Sequence, residues 1–432
     1  MPMSRRGFLA AAGIGAGLAS VAAKPTAGLD LSMAGAGKRV GPNTPGRLTK
    51  LSDTDVYRDP NYYCEPGPSP LSLGNGKVLM AFRRSREVGH FHPEVEMCML
   101  TSEDGGKTWG KDPQVFDFGA ITNANLTLLK DGTVLYATHV DWLIDKRTFD
   151  KLIADPRNIG LVSYIDDRTQ LDLLRLANGK LRTAGADLLW STYSVHAGAY
   201  VRHSSDQGHT WGPAFWVSPI EGVPPVLPGM PSPGYIRNPA FVLDDGSLVI
   251  LVYSASTGAG ETAYLMESPD GGIHWKRRGV IAHPQSGIGF NETVLYQCMS
   301  GKVVAFMRTS NADGFLYTAS SQDGGFTWSS PRKENLWGHP CTVIRMPSGR
   351  AMVAYGYRRP PFGIRARLLD AECEHIGDAE ELVLRSDGGT RDLGYPLATL
   401  LPDGTALVAY YFNSKEDDGK QVYIAASVVV EQ

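Results

Sequence analysis

Apolar residues recur along this chain in short stretches, each followed by a turn that contains Gly and then by a second stretch in which apolar and polar residues alternate. Alternation with a period of two residues is typical of a β-strand with one buried face. Two such strands separated by a Gly-containing turn predict a β-hairpin. The six clearest hairpins lie at residues 70–82, 126–136, 240–253, 293–307, 341–355 and 397–410. A weaker candidate at 173–179 would make a seventh.

An eight-residue motif with the pattern S-x-D-x-G-x-[TH]-W interleaves with these hairpins. Its four copies lie at residues 102–109, 204–211, 268–275 and 321–328. The Asp can accept backbone N–H bonds across a turn, the Gly can adopt a backbone conformation that other residues resist, and the Trp ring can pack against neighbouring strands. Because the motif is repeated, we interpret its aspartates as structural and not catalytic; they are Asp104, Asp206, Asp270 and Asp323.

The spacing of hairpin and motif predicts an all-β propeller. A four-stranded blade needs about fifty residues, which matches the repeat distance near residues 245–348. We therefore predict six blades, with seven as the alternative. The interval between the first two motifs is roughly double the others, so residues 145–190 form either an insertion in the second blade or an extra blade that lacks the motif.

The N-terminal residues predict an export signal. Arg5 and Arg6 precede Phe-Leu and an apolar run of small residues, which favours a twin-arginine signal at 1–23 over an ordinary secretory signal. This run is too short to remain as a membrane span. A Gly-, Pro- and Ala-rich linker at 24–50 and a single propeller at 51–432 follow. We expect the mature protein to be periplasmic or secreted, with the twin-arginine export machinery as its one protein partner.

Charge and cysteine content exclude several function classes. Without Arg5 and Arg6, the basic residues fall from 42 to 40 against 45 acids, which gives a net charge of −5 and offers no attraction for nucleic acid. The five cysteines are widely spaced and form no C-x-x-C pair. We therefore predict no metal site and no cofactor.

The repeated motif resembles the Asp box of the sialidase superfamily, and the resemblance covers about residues 55–432. In bacterial exo-sialidases one blade begins with Asn-Glu and its hairpin ends with Arg; Asn291-Glu292 and Met307-Arg308 are similar. The resemblance implies that Glu292 polarises a tyrosine nucleophile and that Arg308 binds the substrate carboxylate. The structural alternative is a Glu at a strand start and an exposed Arg.

The tyrosine nucleophile of that family stands before the last hairpin, where this chain has Gly394-Tyr395-Pro396. A phenol suits an anionic sugar, because a carboxylate nucleophile would be repelled by the charge of the substrate. The resemblance therefore implies Tyr395 as the nucleophile, and a Tyr that only packs or donates a hydrogen bond is the alternative.

A further arginine of the family falls near Gly363-Ile364-Arg365-Ala366-Arg367, and alternation places Arg365 and Arg367 on one face of a strand. We expect that face to line the pore, where two guanidiniums would bind an anion. Arg358 and Arg359, in the preceding Pro-rich loop, are predicted to be rim residues. His339, at the start of this blade, is a further candidate for substrate contact.

The chain departs from the family pattern at two places. The first-blade Arg-Ile-Pro is replaced by residues 63–69, Tyr-Cys-Glu-Pro-Gly-Pro-Ser, so one arginine is missing. The residues that could compensate are Arg83, Arg84 and Arg237. The acid/base Asp is also missing, and the corresponding loop offers His90, His92 and Glu94 as candidate proton donors. A metal at His-x-His is disfavoured, because no further ligand set has a convincing spacing.

The leading prediction is an exported exo-glycosidase of sialidase type that acts on a terminal acidic sugar, either sialic acid or a relative. The alternatives are a polysaccharide lyase or other glycosidase acting on uronate-containing glycans, and a glycan-binding propeller without catalysis. The missing Arg-Ile-Pro and the histidine-rich loop favour the lyase.

Overall fold

The computed structural model describes residues 46–86, 95–119, 121–155, 162–165, 192–254 and 260–432. The predicted signal at 1–23, the linker residues 24–45 and the weak seventh hairpin at 173–179 lie outside the described residues. The remaining predicted hairpins all fall within them.

The described residues form six antiparallel sheets arranged as the blades of a propeller. The first strand, β1 (Leu48–Tyr57), pairs with the last strand of the chain and belongs to blade six. Blade one contains β2 (Ser69–Gly74), β3 (Lys77–Arg84), β4 (Val95–Ser102) and β5 (Gln114–Gly119). Blade two contains β6 (Ile121–Leu128), β7 (Val134–Ile144), β8 (Val162–Ile165), β9 (Thr192–Ser204) and β10 (Phe215–Trp216).

The other four blades follow in chain order. Blade three contains β11 (Phe241–Val242), β12 (Leu248–Ser254), β13 (Thr262–Ser268) and β14 (Lys276–Ala282). Blade four contains β15 (Gly289–Gln297), β16 (Val303–Ser310), β17 (Phe315–Ser321) and β18 (Arg332–Trp337). Blade five contains β19 (Cys341–Arg345), β20 (Ala351–Tyr357), β21 (Gly363–Leu369) and β22 (Glu381–Arg385). Blade six contains β23 (Gly394–Leu400), β24 (Ala406–Asn413), β25 (Val422–Glu431) and β1.

The prediction of six blades is confirmed, and the long interval between the first two motifs is an insertion within blade two. Strand β7 pairs directly with β9 from Val134↔Ser204 to Ile144↔Tyr193, so both strands belong to the same blade. The insertion includes β8, which pairs with β9, and helix α1 (Lys146–Ile153). Asp145 caps this helix by accepting a hydrogen bond from the Thr148 N–H at 2.7 Å. In the described part of the chain, no helix is long and apolar enough to cross a membrane.

Among the described residues, six apolar layers lie between adjacent blades, one for each pair, and a smaller seventh cluster packs helix α1 against β9. The second strands are therefore covered on both faces, and residues Val78–Arg83 of β3 are all buried. This explains why the second stretch of several hairpins is an almost continuous apolar run and not a strict alternation. All five cysteines lie in described segments and are buried free thiols.

Each eight-residue motif forms the turn that leads into the outermost strand of its blade, in blades one to four. In the first copy, Ser102 Oγ donates to Asp104 Oδ1 at 2.7 Å, and Asp104 accepts from the Thr108 N–H at 2.9 Å. Trp109 Nε1 donates to the Gly106 carbonyl oxygen at 3.0 Å. Hydrogen bonds from Thr108 lower the pKa of Asp104 to about 2. The other three copies repeat this pattern, which supports a structural role for the four aspartates.

We expect Trp275→Ala to lower the free energy of unfolding by about 3–5 kcal/mol, because it empties a buried position between blades two and three. The side chain is 5% exposed, and its Nε1 donates to the Gly272 carbonyl at 3.0 Å. Thermal denaturation should show a melting temperature several degrees lower. The matched control is Trp142→Ala, at a position that is 41% exposed and should tolerate the change. Equal melting temperatures for the two variants would contradict the structural role of the motif.

Candidate functional site

The inner strands of the six blades surround the propeller axis, and the residues at their starts face one another. Asn123, Glu292 and Tyr395 lie at irregular points of the register in β6, β15 and β23, where the strand deviates from regular pairing with its neighbour. Arg237 lies in the segment that leads into β11. Tyr395 has a φ of 49°, a left-handed conformation that is uncommon for a bulky residue and is concentrated at functional sites.

Glu292, Arg308 and Tyr395 form one hydrogen-bonded cluster. The Tyr395 hydroxyl donates to Glu292 Oε1 at 2.6 Å. Arg308 Nη1 donates to Glu292 Oε2 and to the Tyr395 oxygen, the latter at 2.9 Å. Residues that are 87 to 103 positions apart in the chain meet here, because blades four and six both place these residues at the axis.

The charges in this cluster keep the proton on the tyrosine. Burial alone would raise the pKa of Glu292, but the guanidiniums of Arg308 and Arg237 outweigh it and lower the pKa to about 2. Burial and the charge of Glu292 raise the pKa of Tyr395. At neutral pH the site therefore holds a carboxylate that accepts a hydrogen bond from a neutral phenol.

Three guanidiniums surround Tyr395. Besides Arg308, the Cζ atoms of Arg237 and Arg358 lie 4.6 Å and 5.3 Å from the centre of its ring. Arg237 is 2% exposed, and its hydrogen bonds to the described residues are two long ones of 3.4 Å. Among the described residues its Nε has no hydrogen-bond partner, and burial lowers its pKa. Such an arrangement leaves donor capacity for an anionic group.

The prediction that Arg358 is a rim residue is wrong. Arg358 directly follows β20, and Arg308 lies near the end of β16, the corresponding strand of blade four. The Arg358 Nη2 donates to the Tyr411 hydroxyl at 3.0 Å. Aligning the hairpins of blades four and five would have found this equivalence from the sequence. Arg359 is exposed and stacks on Trp337 at 3.8 Å, as a rim residue would.

Arg365 and Arg367 do not join the cluster, and the prediction that their face of the strand lines the pore is wrong. Strand β21 is the third strand of blade five and lies away from the axis. Nitrogens of both guanidiniums lie 3.5 Å from carboxylate oxygens of Glu381. Arg367 Nη1 also donates to the Asn335 carbonyl of β18, the outer strand of blade four, at 3.3 Å.

The remaining predicted site residues include one near the cluster, one bound elsewhere and three outside the described residues. His339 lies near the cluster; burial and the charges of Arg308 and Arg358 lower its pKa to about 3, so its imidazole is neutral. Arg84 is bound elsewhere, because its Nε donates to Glu96 at 2.7 Å and its Nη1 to the Tyr57 hydroxyl at 2.6 Å. His90, His92 and Glu94 lie outside the described residues.

Residues 188–408 match the model of the BNR repeat-like domain, and this range covers more than half of the chain. The chain belongs to the BNR repeat-like domain family. A search of curated protein sequences found no match.

This BNR repeat-like protein is similar in structure to a protein of unknown function from Dyadobacter fermentans DSM 18053. The two share 30% identity with a TM-score of 0.75 over 89% of this chain and 99% of the other. The NanB sialidase from Streptococcus pneumoniae matches at 14% identity and a TM-score of 0.54, over 89% of this chain and 70% of the other. The intramolecular trans-sialidase from Ruminococcus gnavus matches at 15% identity and a TM-score of 0.54, over 85% and 94%.

The last two likenesses establish a sialidase-like fold.

The loop before β2 differs from the sialidase pattern in its chemistry, as the sequence indicated. Glu65 is 1% exposed and lies close enough to Arg83 and Tyr411 to affect the pKa of both. A Cβ atom at Gly67 would lie 3.8 Å from the Tyr395 Cβ and 3.9 Å from the Arg237 Cζ. The loop therefore reaches the cluster, at the point where Arg237 of blade three lies beside the Tyr395 ring.

Sequence reasoning missed a polar group on blade two. His139 and His196, with Asp141 beside them, are buried on β7 and β9 next to the segment that carries Arg237. Their only sequence signal is three ionisable residues within otherwise apolar strands.

A cavity of about 470 Å³ lies on the propeller axis, and its lining residues follow the cluster residues by one to three positions along the inner strands. Its lining from different blades includes Asn238, Val294 and Leu397.

Proposed function

We propose that this protein is an exo-glycoside hydrolase of sialidase type that cleaves a terminal acidic sugar, sialic acid or a relative, from glycans. The observation that carries the proposal is the 2.6 Å hydrogen bond between Tyr395 and Glu292, with three guanidiniums around the tyrosine. A phenol paired with a carboxylate is an activated nucleophile. Guanidiniums in excess of carboxylates suit a substrate that brings its own negative charge.

In the proposed first step, the Tyr395 oxygen forms a bond to the anomeric carbon as the bond to the leaving oxygen breaks. The phenol proton passes to Glu292, and an acid must protonate the leaving oxygen. His90, His92 and Glu94 remain the candidates for that acid. Water then releases the sugar from the tyrosine by the reverse proton transfers, with Glu292 returning the proton to Tyr395.

Substrate binding would itself prepare Glu292 for this step. In the free protein the guanidiniums lower the pKa of Glu292 to about 2, which makes it a weak base. A substrate carboxylate that binds Arg237, Arg308 and Arg358 shares their positive charge, so the pKa of Glu292 rises. The carboxylate would then accept the phenol proton more readily when an acidic sugar is present.

A panel of aryl glycosides tests the proposal. The purified protein should release the aryl group from a sialyl or related ulosonyl glycoside and not from neutral exo-substrates. Absence of release from every member of the panel would contradict glycosidase activity. Binding of an acidic sugar without turnover, unchanged in Glu292→Gln, would instead favour a glycan-binding propeller.

A polysaccharide lyase is the second candidate, because neutral imidazoles lie beside the arginines. His339 and His139 have pKa values lowered to about 3 and about 4, so both imidazoles are neutral at neutral pH. In a lyase the arginines would neutralise a uronate, while a histidine and Tyr395 transfer the proton. Incubation with uronate polymers separates the two candidates, because elimination creates an unsaturated uronate that absorbs ultraviolet light and hydrolysis does not.

Export is proposed from the N-terminal residues alone. Replacement of Arg5 and Arg6 by Lys should leave the precursor in the cytoplasm, because the arginine pair is the address that the twin-arginine machinery reads. Cell fractionation and immunoblotting of the two forms measure the effect. Undiminished export of the Lys variant would indicate the general secretory route.

A further inference from the structure

Two imidazoles lie side by side on blade two, at the edge of the Tyr395 cluster. The ring centres of His139 and His196 are 5.6 Å apart, and the rings meet edge to face. Tyr235, two residues before Arg237, stacks on His196 with a centre distance of 3.5 Å and an angle of 8°. We call His139 and His196 the imidazole pair.

The neighbours of the imidazole pair fix where its protons are. His139 Nδ1 lies 2.9 Å from the Ile236 carbonyl oxygen, which can only accept, so Nδ1 carries the proton. His196 Nδ1 lies 3.0 Å from Asp141 Oδ1 and donates to that carboxylate in the same way. The other Asp141 oxygen accepts from the Ser194 hydroxyl at 3.5 Å. The Nε2 atom of His139 is then left as a hydrogen-bond acceptor, and the Nε2 atom of His196 is left without a partner.

Neither Nε2 atom has a protein partner in the described part of the chain. His196 is 2% exposed, and its Nε2 is a buried polar atom without a hydrogen bond. His139 is 4% exposed and uses only its Nδ1. Buried polar atoms in native proteins nearly always have a partner, and an orphan requires an explanation such as a ligand or a water molecule. His196 Nε2 is such an orphan, and His139 Nε2 on the neighbouring ring makes no hydrogen bond to the described residues either.

The imidazole pair is tied to the anion-binding part of the site through one peptide segment. Ile236, whose carbonyl binds both His139 and the Asn123 amide nitrogen, directly precedes Arg237. Burial, and then the neighbouring His196, lower the pKa of His139 to about 4, while Asp141, Ile236 and Glu292 oppose the shift. His139 is therefore neutral at neutral pH and cannot donate from Nε2.

We propose that the imidazole pair is a hydroxyl-binding subsite, in which His139 Nε2 accepts a hydrogen bond from a sugar hydroxyl while Arg237, Arg308 and Arg358 bind the carboxylate of the same sugar. His196 supplies a second unpartnered ring nitrogen, and Asp141 positions His196. The ligand class is a carboxylated sugar with a free hydroxyl near its acidic group. This inference takes from the proposed function only the binding of an acidic group by the arginines, and it holds equally for hydrolysis and for elimination.

Two substitutions of His139 separate recognition from structure. In His139→Asn the amide nitrogen takes the place of Nδ1 and still donates to the Ile236 carbonyl, but the Nε2 acceptor is gone. His139→Gln keeps a polar atom near Nε2 and loses the Ile236 contact. Melting temperatures identify any variant that fails to fold.

Calorimetric titration with three carboxylates tests the inference. N-acetylneuraminate and D-glucuronate carry hydroxyls, and cyclohexanecarboxylate has the same charge without them. The unmodified protein should bind at least one sugar acid tenfold or more tightly than cyclohexanecarboxylate. His139→Asn should lose this preference and keep its affinity for cyclohexanecarboxylate, whereas Arg237→Gln should weaken binding of all three.

The outcomes distinguish this inference from the proposed function. A preference for sugar acids that persists in His139→Asn, or that is absent from the unmodified protein, overturns the subsite. Failure of the unmodified protein to bind any of the three acids overturns the anionic site and the subsite together. If His139→Asn does not fold, nitrogen-15 spectra of the unmodified protein decide: the bound sugar acid should shift the His139 Nε2 resonance, and an unmoved resonance contradicts the inference.

Discussion

Tyr395→Phe and Glu292→Gln should each reduce turnover by orders of magnitude while the propeller stays folded. Tyr395→Phe removes the atom that would attack the sugar, and Glu292→Gln removes the carboxylate that would accept its proton. The two side chains act as one unit, so the double variant should be little worse than the worse single variant. Steady-state kinetics on the aryl glycoside that the protein cleaves best measure all three.

The control for this pair is Tyr410→Phe, a change of the same size in the adjacent strand β24. The Tyr410 hydroxyl pairs with Ser427 within blade six at 2.6 Å, so its loss should affect stability and not turnover. Near-normal turnover of Tyr395→Phe would exclude the tyrosine nucleophile. Attention would then move to the loop that carries His90, His92 and Glu94.

Arg237→Gln should weaken the binding of an acidic ligand by about tenfold to a hundredfold, the usual effect of losing a hydrogen bond to a charged group. The melting temperature should be unchanged or higher, because the same burial that lowers the pKa of Arg237 is a cost in the free protein. Titration with the acidic sugar and thermal denaturation give the two numbers.

The matched control is Arg367→Gln, which removes a guanidinium of blade five that contacts Tyr355 and backbone carbonyls. It should cost stability and leave ligand affinity unchanged. The opposite pattern, with affinity lost in Arg367→Gln and kept in Arg237→Gln, would restore the expectation drawn from the sequence and contradict the arrangement around Tyr395.

The fold could be predicted from the sequence because its information is local and repeated. Each hairpin carries its own apolar pattern and turn, and each Asp-box motif contains both its turn Asp and its packing Trp. The number of blades needed only these units and their spacing. Whether residues 145–190 form a blade or an insertion was not local information, because it depends on the pairing of β7 with β9 across that segment.

The site could be predicted only where it resembles the sialidases. Glu292, Arg308 and Tyr395 stand in recognisable motifs, and the structure brings them together. Arg358 was wrongly predicted to be a rim residue. Arg367 was wrongly predicted to line the pore, because alternation gives the face of a strand but not the distance of that strand from the axis. Arg237 was one of three possible replacements for the missing arginine, and only the packing of blade three against Tyr395 separates it from Arg84.

The imidazole pair could not be predicted, because its hydrogen-bonding role depends on which ring nitrogens carry protons. In the sequence, His139 and His196 are two histidines among apolar residues, which most often indicates satisfied core positions. The role proposed for the pair rests on hydrogen-bond partners that are distant in the chain or belong to the backbone, such as the Ile236 carbonyl, which is 97 residues from His139. Such partners become visible only when blades two and three are packed together.

The seam between β1 and β25 determines how the ring would respond to mechanical load. Arg47 and Gln432 exchange two backbone hydrogen bonds of 3.1 Å and 2.9 Å, and the pairing runs from Leu48↔Glu431 inward to Tyr57↔Ile424. A force that pulls Arg47 and Gln432 apart would break the hydrogen bonds of the antiparallel ladder one pair at a time, because both residues lie at the same end of the ladder. The strands would be peeled and not sheared. Under tension the propeller would therefore open at blade six, while the Asp-box turns of blades one to four were still intact.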